Sequence, residues 1–210
     1  MYEREKMKPL KAIVLTFFIC GISFAQEETL ISGPVESGGF GGPVVKFSGV
    51  SDKFAVFAGG YGGWLINHTF MIGGGGYGLA NTIRAGRTAQ IYYGTGDNLR
   101  MQFGYGGLVL EYIGLPNNLV HYTISTLVGA GGVNYDYINN YMNVYFDGYD
   151  HNSPCFVLEP NVGLELNVTP FFRINAGVGY RLVRGTDLIG ISDADLSDFS
   201  GYLTLKFGKF

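Results

Sequence analysis

Apolar and polar side chains alternate along most of the chain after residue 42, with the two-residue period of a β-strand. In the segment 156–168, Leu164 and Leu166 share one face, and Glu165 and Asn167 share the other. The pattern predicts eight strands with no helical periodicity between them, over residues 43–50, 53–66, 69–80, 99–113, 119–135, 156–168, 172–184 and 199–210. Most segments reach the roughly 9 to 11 residues that a tilted strand needs to cross a bilayer.

Short and long connections alternate between the predicted strands. The short ones read "NH", "LPNNL" and "TPF", and the long ones are 81–98, 136–155 and 185–198. Tight turns at one end and long loops at the other are typical of an outer-membrane barrel. The first connection, "SD" at 51–52, is short where this rule expects a long loop. The chain is therefore predicted to be all-β, an eight-stranded antiparallel up-and-down transmembrane β-barrel.

The stretch "GGYGGWLINHTFMIGGGGYG" at 59–78 combines glycine blocks with an apolar hairpin. An eight-stranded barrel has an interior only just wide enough for side chains. Inward glycines relieve that crowding and let strands curve, while large aromatic side chains cover the glycine backbone. Trp64 and Phe70 flank the turn of this hairpin and are expected at the headgroup level of the membrane.

The N-terminal residues 1–25 read as a cleavable signal peptide. Lys6, Lys8 and Lys11 precede the apolar run "AIVLTFFICGISFA", and Ala25 offers a small residue at the cleavage point. A Gly-rich segment is expected over 26–42 and the barrel domain over 43–210. The chain is therefore expected to be exported.

The net charge and the cysteine content each exclude one feature of the exported chain. The formal net charge of −3 argues against nucleic acid, which requires a basic face. Cys155 is the one cysteine after residue 25, so no intramolecular disulfide framework is expected in the exported chain.

Charged residues on the polar faces of the last strands are predicted to form a network inside the barrel. If the "TPF" turn pairs Val168 with Phe172, Glu159 lies opposite Arg181 and Glu165 lies diagonal to Arg173. An unpaired buried charge costs several kcal/mol, so these groups must pair. The predicted lumen network consists of Glu159, Glu165, Arg173, Arg181 and Lys206. It predicts a packed polar plug rather than an ion-conducting pore.

Two loop motifs could carry chemistry. "DGYDHNSP" places His151 and Ser153 beside aspartates, a set that a lipid-modifying enzyme would have to bring together at the rim. "SDADLSD" is rich in carboxylates but lacks the glycine and the terminal glutamate of a calcium loop. Both read as solvated loops, and the sequence predicts no catalytic, cofactor-binding or metal-binding residue.

The last strand, "FSGYLTLKFGKF", alternates apolar residues and ends on an aromatic residue. With the signal peptide and eight segments, the chain resembles the small outer-membrane β-barrels of the OmpA/OmpX type. "GGFGGPVVKF" is also similar to stretches of uncharacterised outer-membrane proteins of Bacteroidota-like bacteria. The resemblance implies a C-terminal insertion signal formed by Leu203, Leu205, Phe207 and Phe210. Leu203, Leu205 and Phe207 share one face of the strand, whereas the alternation places Phe210 on the other face. It further implies contact with outer-membrane lipid and with the barrel-insertion machinery, in a Gram-negative-type outer membrane.

The expected function is non-enzymatic. The chain is predicted to be an integral outer-membrane protein with a charge-paired lumen and Tyr/Asn/Asp-rich extracellular loops, in a structural or surface-contact role. An extracellular ligand would bind through loops 81–98, 136–155 and 185–198. Two alternatives stay open. One is the lipid-modifying enzyme, and the other is a soluble lipocalin-like barrel with apolar residues inside and the charged face in water.

Overall fold

The computed structural model describes residues 36–93, 99–137 and 152–210. The predicted signal peptide lies outside these residues. The elements are β1 (Ser37–Val50), β2 (Lys53–Ile66), β3 (Phe70–Leu79), β4 (Ile83–Arg84), α1 (Arg87–Tyr92), β5 (Leu99–Gly114), β6 (Val120–Tyr137), β7 (Asn152–Thr169), β8 (Phe172–Arg184), α2 (Asp193–Leu196) and β9 (Asp198–Lys209).

Eight long antiparallel strands close into a barrel. Each strand pairs with its neighbours along the chain, and β1 pairs with β9 to close the sheet. β3 pairs directly with β5, so the two-residue β4 adds to the β5 edge without entering the wall. The predicted all-β, eight-stranded antiparallel barrel is confirmed. We call the end bearing 67–69, 115–119 and 170–171 the turn end, and the opposite end the loop end.

Two strands begin several residues earlier than the sequence pattern predicted. β1 begins at Ser37 rather than at residue 43, so residues 37–42 belong to the barrel wall and not to a separate Gly-rich segment. Glycine has a low strand propensity, but Gly39 and Gly41 pair with both β2 and β9. β7 begins at Asn152 rather than at 156, where it continues the pairing with β6.

The connections at the loop end contain short helices that the sequence pattern did not reveal. α1 and β4 lie in the first long loop, and α2 lies in the last. Ser192 caps α2 through a reciprocal capping box with Asp195. A single helical turn is too short to show a hydrophobic period, which is why the pattern missed it.

The turns set the register of the strands. Ser51 and Asp52 both have positive φ, as a two-residue hairpin turn requires, so this loop-end connection is short. At the "TPF" turn the predicted pairing is wrong, because Phe172 pairs with Thr169 and the register shifts between Asn167 and Thr169. Val168 is the extra residue of this irregularity, and the pairs further along the hairpin keep their predicted partners.

The barrel has charged side chains inside and apolar side chains outside. Glu159, Glu165, Arg181 and Lys206 have no exposed surface, whereas Leu164 is 62% exposed. The outward apolar set includes Val45, Phe47, Phe54, Trp64, Ile72, Leu108, Leu110, Ile124, Val128, Val162, Leu164, Val178, Leu203 and Phe207. The lipocalin-like alternative required the reverse polarity and is therefore wrong.

Inward glycines make room for large aromatic side chains in the lumen. A Cβ added at Gly75 would lie 2.7 Å from the Cβ of Tyr61. A Cβ at Gly177 would lie 2.6 Å from the Tyr202 hydroxyl and equally close to the Cα of Gly163. These glycines are required for space rather than for flexibility, as the narrow interior predicted.

Candidate functional site

A cluster of charged side chains, which we call the lower ionic layer, fills the lumen towards the turn end. Lys206 donates hydrogen bonds to both Glu111 and Glu165. Arg173 donates from Nη1 to Glu165 Oε1 at 3.1 Å, across the diagonal that the hairpin register predicted. His121 Nε2 lies 3.1 Å from the same oxygen, so Glu165 is the centre of the layer.

Aromatic rings surround the cations of the lower ionic layer. The Nζ of Lys206 lies 4.6 Å from the ring centroid of Phe40. The guanidinium of Arg173 lies 4.0 Å from the ring of Phe210. The Tyr61 hydroxyl donates to Glu111 at 2.9 Å. Each cation therefore has a carboxylate and an aromatic face as partners, which compensates for its burial.

A second group, the upper ionic layer, lies closer to the loop end. Lys46 donates to Glu159, and the Tyr105 hydroxyl donates to the other oxygen of Glu159 at 2.6 Å. The Nζ of Lys46 lies 3.4 Å from the ring centroid of Tyr77. Lys46 therefore neutralises Glu159, the role that the sequence had predicted for Arg181.

Arg181 is directed to the loop end instead. Its Nε donates to the carbonyl oxygen of Leu196 at 2.7 Å, and its Nη2 donates to that of Gly49 at 2.9 Å. The guanidinium also lies 4.5 Å from the ring centroid of Phe57. Leu196 is the last residue of α2 and is fully buried, so Arg181 anchors this helical turn over the barrel mouth. Because α2 is a single turn with no hydrophobic period, the alternation pattern did not predict this partner.

Lys46 and Glu111 are the two charged members that sequence reasoning missed. Each is a single charged residue in an otherwise apolar run, "PVVKFSGV" and "LVLEYIG". Lys46 shares its parity with the buried Val44, and Glu111 shares its parity with the buried Val109. A charged residue on the face of the strand that also carries the buried apolar residues was the sequence signal that could have identified both members.

The lumen is packed between the two ionic layers. The cavity there is about 20 Å³ and is lined by Lys46, Tyr61, Tyr77 and Tyr202 among others. A volume of this size holds about one water molecule. The arrangement therefore stabilises the wall from within and offers no continuous aqueous passage through this part of the lumen.

The predicted insertion signal divides between two faces of β9. Leu203 and Phe207 point outward with nearly half of their surface exposed, and Leu205 shares their parity. Phe210 follows the end of β9 and stacks on Phe40 with ring centroids 5.4 Å apart. The opposite parity of Phe210 thus places it over the lumen, where it covers Arg173.

The candidate chemistry of the long loops falls partly outside the described residues. His151, Asp147 and Asp150 all lie outside them. Ser153 is described: it is buried on the lumen side of β7, and its hydroxyl accepts from the backbone N–H of Asp187 at 2.7 Å. That hydroxyl is therefore packed against a neighbouring loop and not exposed at the rim.

The "SDADLSD" carboxylates bond to the protein's own backbone. Asp193 accepts from the N–H groups of Thr186 at 2.8 Å and Gly185 at 3.2 Å. These bonds, the one from Thr186 first, hold the pKa of Asp193 below its ordinary value. Asp195 accepts from the N–H and the hydroxyl of Ser192. The motif is a capped helical turn that orders the last loop.

Solved structures similar to this chain include small outer-membrane barrels. Neisserial surface protein A superposes with a TM-score of 0.53 at 15% identity, covering 85% of this chain and 100% of that protein. The chain has the fold of an outer-membrane β-barrel. Ail of Yersinia pestis, solved with the heparin analogue sucrose octasulfate, gives 0.49 at 15% identity, covering 84% and 99%. The N-terminal barrel domain of Pseudomonas aeruginosa OprF gives 0.47 at 13% identity, covering 82% and 96%.

Sequence comparison adds no family to this likeness. No protein-family model matches the chain, and no curated protein matches it. Within residues 36–93, 99–137 and 152–210, no helix is long and apolar enough to cross a bilayer.

Proposed function

We propose that this chain is an integral outer-membrane protein whose barrel serves a structural or surface-contact role without catalysis. The observation that carries the proposal is the polarity of the wall. Charges such as Glu165 and Lys206 are fully buried in the lumen, while outward residues such as Val162 and Phe199 are 57% and 73% exposed. An apolar exterior around a charged interior is stable in lipid and unstable in water.

Aromatic rings at the turn end support a membrane boundary there. Phe70 and Tyr112 have ring centroids 5.2 Å apart, and Tyr112 and Tyr122 follow at 6.2 Å. Trp64 is half exposed and donates to Ser37 at 3.3 Å. Rows of outward aromatic residues at the membrane interfaces are typical of such barrels.

The packed lumen favours a stabilising role over conduction. Both ionic layers consist of paired charges, and Arg181 holds α2 across the mouth at the loop end. We place the loop end outside the cell and the termini in the periplasm, so an extracellular ligand would meet loops 81–98, 136–155 and 185–198. The outward residues Leu203 and Phe207 of β9 are the surface that the insertion machinery would recognise.

The kind of bacterium that makes this protein stays a prediction. The similar structures named above come from Neisseria, Yersinia and Pseudomonas, and the resemblance to Bacteroidota-like proteins has no support among them.

Membrane fractionation combined with heat-modifiability tests the proposal. We expect the unheated protein to sediment with outer membranes and to migrate faster on a detergent gel than the boiled protein, because the closed barrel resists detergent. A protein recovered from the soluble periplasmic fraction would overturn the proposal. A pair of variants adds a second test. Leu164→Glu places a charge on the outward face of the barrel and is expected to reduce the membrane-inserted fraction. Leu115→Glu places the same charge in a turn, is the matched control, and is not expected to reduce that fraction.

A further inference from the structure

A groove of about 440 Å³ lies on the outer surface of the barrel at the loop end. It is formed where β3 ends and β5 and β6 continue, and the residues 80–82 close one side. Gly78, Gly104 and Gly132 all lie at outward-facing positions of their strands, and the groove stays open there because glycine has no side chain to fill it. Gln102 and Asn134 contribute polar groups to its lining. The groove is within the size range of small-molecule sites.

Two arginines face each other beside this groove. Arg84 on β4 pairs directly with Arg100 on β5, so both side chains leave the same outward face. Like charges directly opposite each other across two strands destabilise the pair unless an anion lies between them. Lys53 holds the backbone of this segment, since its Nζ donates to the carbonyl oxygen of Arg84 at 2.7 Å, but its side chain lines a separate surface pocket together with Asp52 and Asp198.

The acidic groups nearby do not cancel this charge. Asp136 accepts from Arg100 Nη2 at 2.6 Å and also from Gln102 at 2.9 Å. No carboxylate belongs to the described residues that line the groove. Asp136 therefore offsets one of the two arginine charges.

The groove lies at the height of a lipid headgroup. Along the outward face of β5, Arg100 is twelve positions from Tyr112, which belongs to the aromatic row at the turn end. At roughly 3.3 Å per residue and a tilt of about 40°, that separation spans roughly 30 Å along the membrane normal. The hydrocarbon core of a bilayer is also about 30 Å thick. If Tyr112 marks one interface, Arg100 marks the other.

We propose that this groove binds the phosphate of an anionic lipid headgroup in the leaflet at the loop end. The inference rests on the proposed membrane location. Arg84 and Arg100 supply planar donors that suit a phosphate, and the glycine floor lets the headgroup approach the backbone. A lipid is favoured over a free anion because the groove opens on the outward face, beside the apolar band that includes Leu108.

Native mass spectrometry of the full chain measures this binding. The barrel is released from detergent micelles doped with phosphatidylglycerol or with phosphatidylcholine, and the retained lipids are counted. Arg84→Gln with Arg100→Gln removes the cations, and Gly78→Leu fills the groove without changing charge, since no atom lies within 4 Å of a Cβ there. Arg184→Gln is the matched control, because Arg184 is also outward at the end of its strand but lies on β8.

We expect the wild type and the Arg184 control to retain phosphatidylglycerol at least tenfold more than phosphatidylcholine. The double arginine variant and Gly78→Leu are expected to lose that preference while keeping the heat-modifiable gel shift. Equal retention of both lipids by the wild type, or an unchanged preference in both groove variants, would overturn the inference. Displacement of the lipid by millimolar inorganic phosphate would assign the site to a free anion instead. A barrel that fractionates with outer membranes yet shows no lipid preference refutes this site and leaves the proposed function intact.

Discussion

Replacing Lys206 by methionine tests how much the lower ionic layer stabilises the barrel. Lys206 is fully buried and donates to both Glu111 and Glu165. Glu165 would keep Arg173 at 3.1 Å and so would retain a counter-charge. Glu111 would keep the Tyr61 hydroxyl at 2.9 Å as its hydrogen-bond donor and would have no ion-pair partner among the described residues. The cost of the substitution therefore falls mainly on Glu111.

The expected loss is about 3–5 kcal/mol in the free energy of unfolding, the usual cost of leaving a buried charge without its partner. A second substitution, Glu111→Gln, removes the uncompensated charge and should restore about half of that loss. Combining Lys206→Met with Glu165→Gln should not restore it, because Arg173 would then be the unpaired charge. The two double variants have equal net charge, so they form a matched pair.

Urea unfolding in lipid vesicles is the assay, followed by the fluorescence of Trp64, the one tryptophan of the chain. The heat-modifiable gel shift reports independently whether the barrel is closed. A free energy of unfolding for Lys206→Met within about 1 kcal/mol of the wild-type value would refute this account, because an exposed ion pair contributes no more than that. Equal rescue by the Glu111 and Glu165 changes would refute the assignment of the cost to Glu111.

Three further predictions follow from the wall, the C-terminus and the last loop. Gly177→Ala should destabilise the barrel by about 1–3 kcal/mol in the same assay, because its Cβ would clash with the carbonyl oxygen of Val162 and lie 2.6 Å from the Tyr202 hydroxyl, whereas Gly78→Ala should be neutral. Phe210→Ala should slow folding into vesicles measured by the gel shift, since it uncovers the lower ionic layer; a wild-type rate would contradict this. The pKa of Asp193 is held low in the folded loop. The ionised Asp193 carboxylate therefore stabilises the loop fully above the ordinary carboxyl pKa, and this stabilisation is lost as pH falls through the lowered pKa. The hydrogen-exchange protection factors of the Thr186 and Gly185 amides, each taken relative to the intrinsic exchange rate at the same pH, should therefore fall in acid, and Asp193→Asn should remove that pH dependence; unchanged protection factors would contradict this account.

The strand bounds were largely readable from the sequence. β2, β6 and β8 lie where the two-residue alternation predicted them, and β2 and β8 agree at both ends. This succeeded because alternation is a local property of an extended chain with two different faces. It failed at residues 37–42, where four of the six residues are glycine, which has a low strand propensity, and pairing with two neighbouring strands decides the structure.

The members of the ionic layers were only partly readable. Glu165 and Arg173 are on adjacent strands joined by a tight turn, so the register alone placed them as neighbours. Lys46 and Glu159 are 113 residues apart, and Glu111 and Lys206 are 95 apart. Such pairs meet across the lumen, and no local pattern contains that information.

By itself the sequence determined eight strands, their order, and the division of each into an apolar and a polar face. The tertiary structure decided which face is inside, which cation meets each carboxylate, and where Arg181 is anchored. The physical reason is that alternation depends on the geometry of one strand, whereas inside and outside exist only once β1 pairs with β9 and the sheet closes. Closure brings charges from distant strands into a space too narrow to leave any of them unpaired.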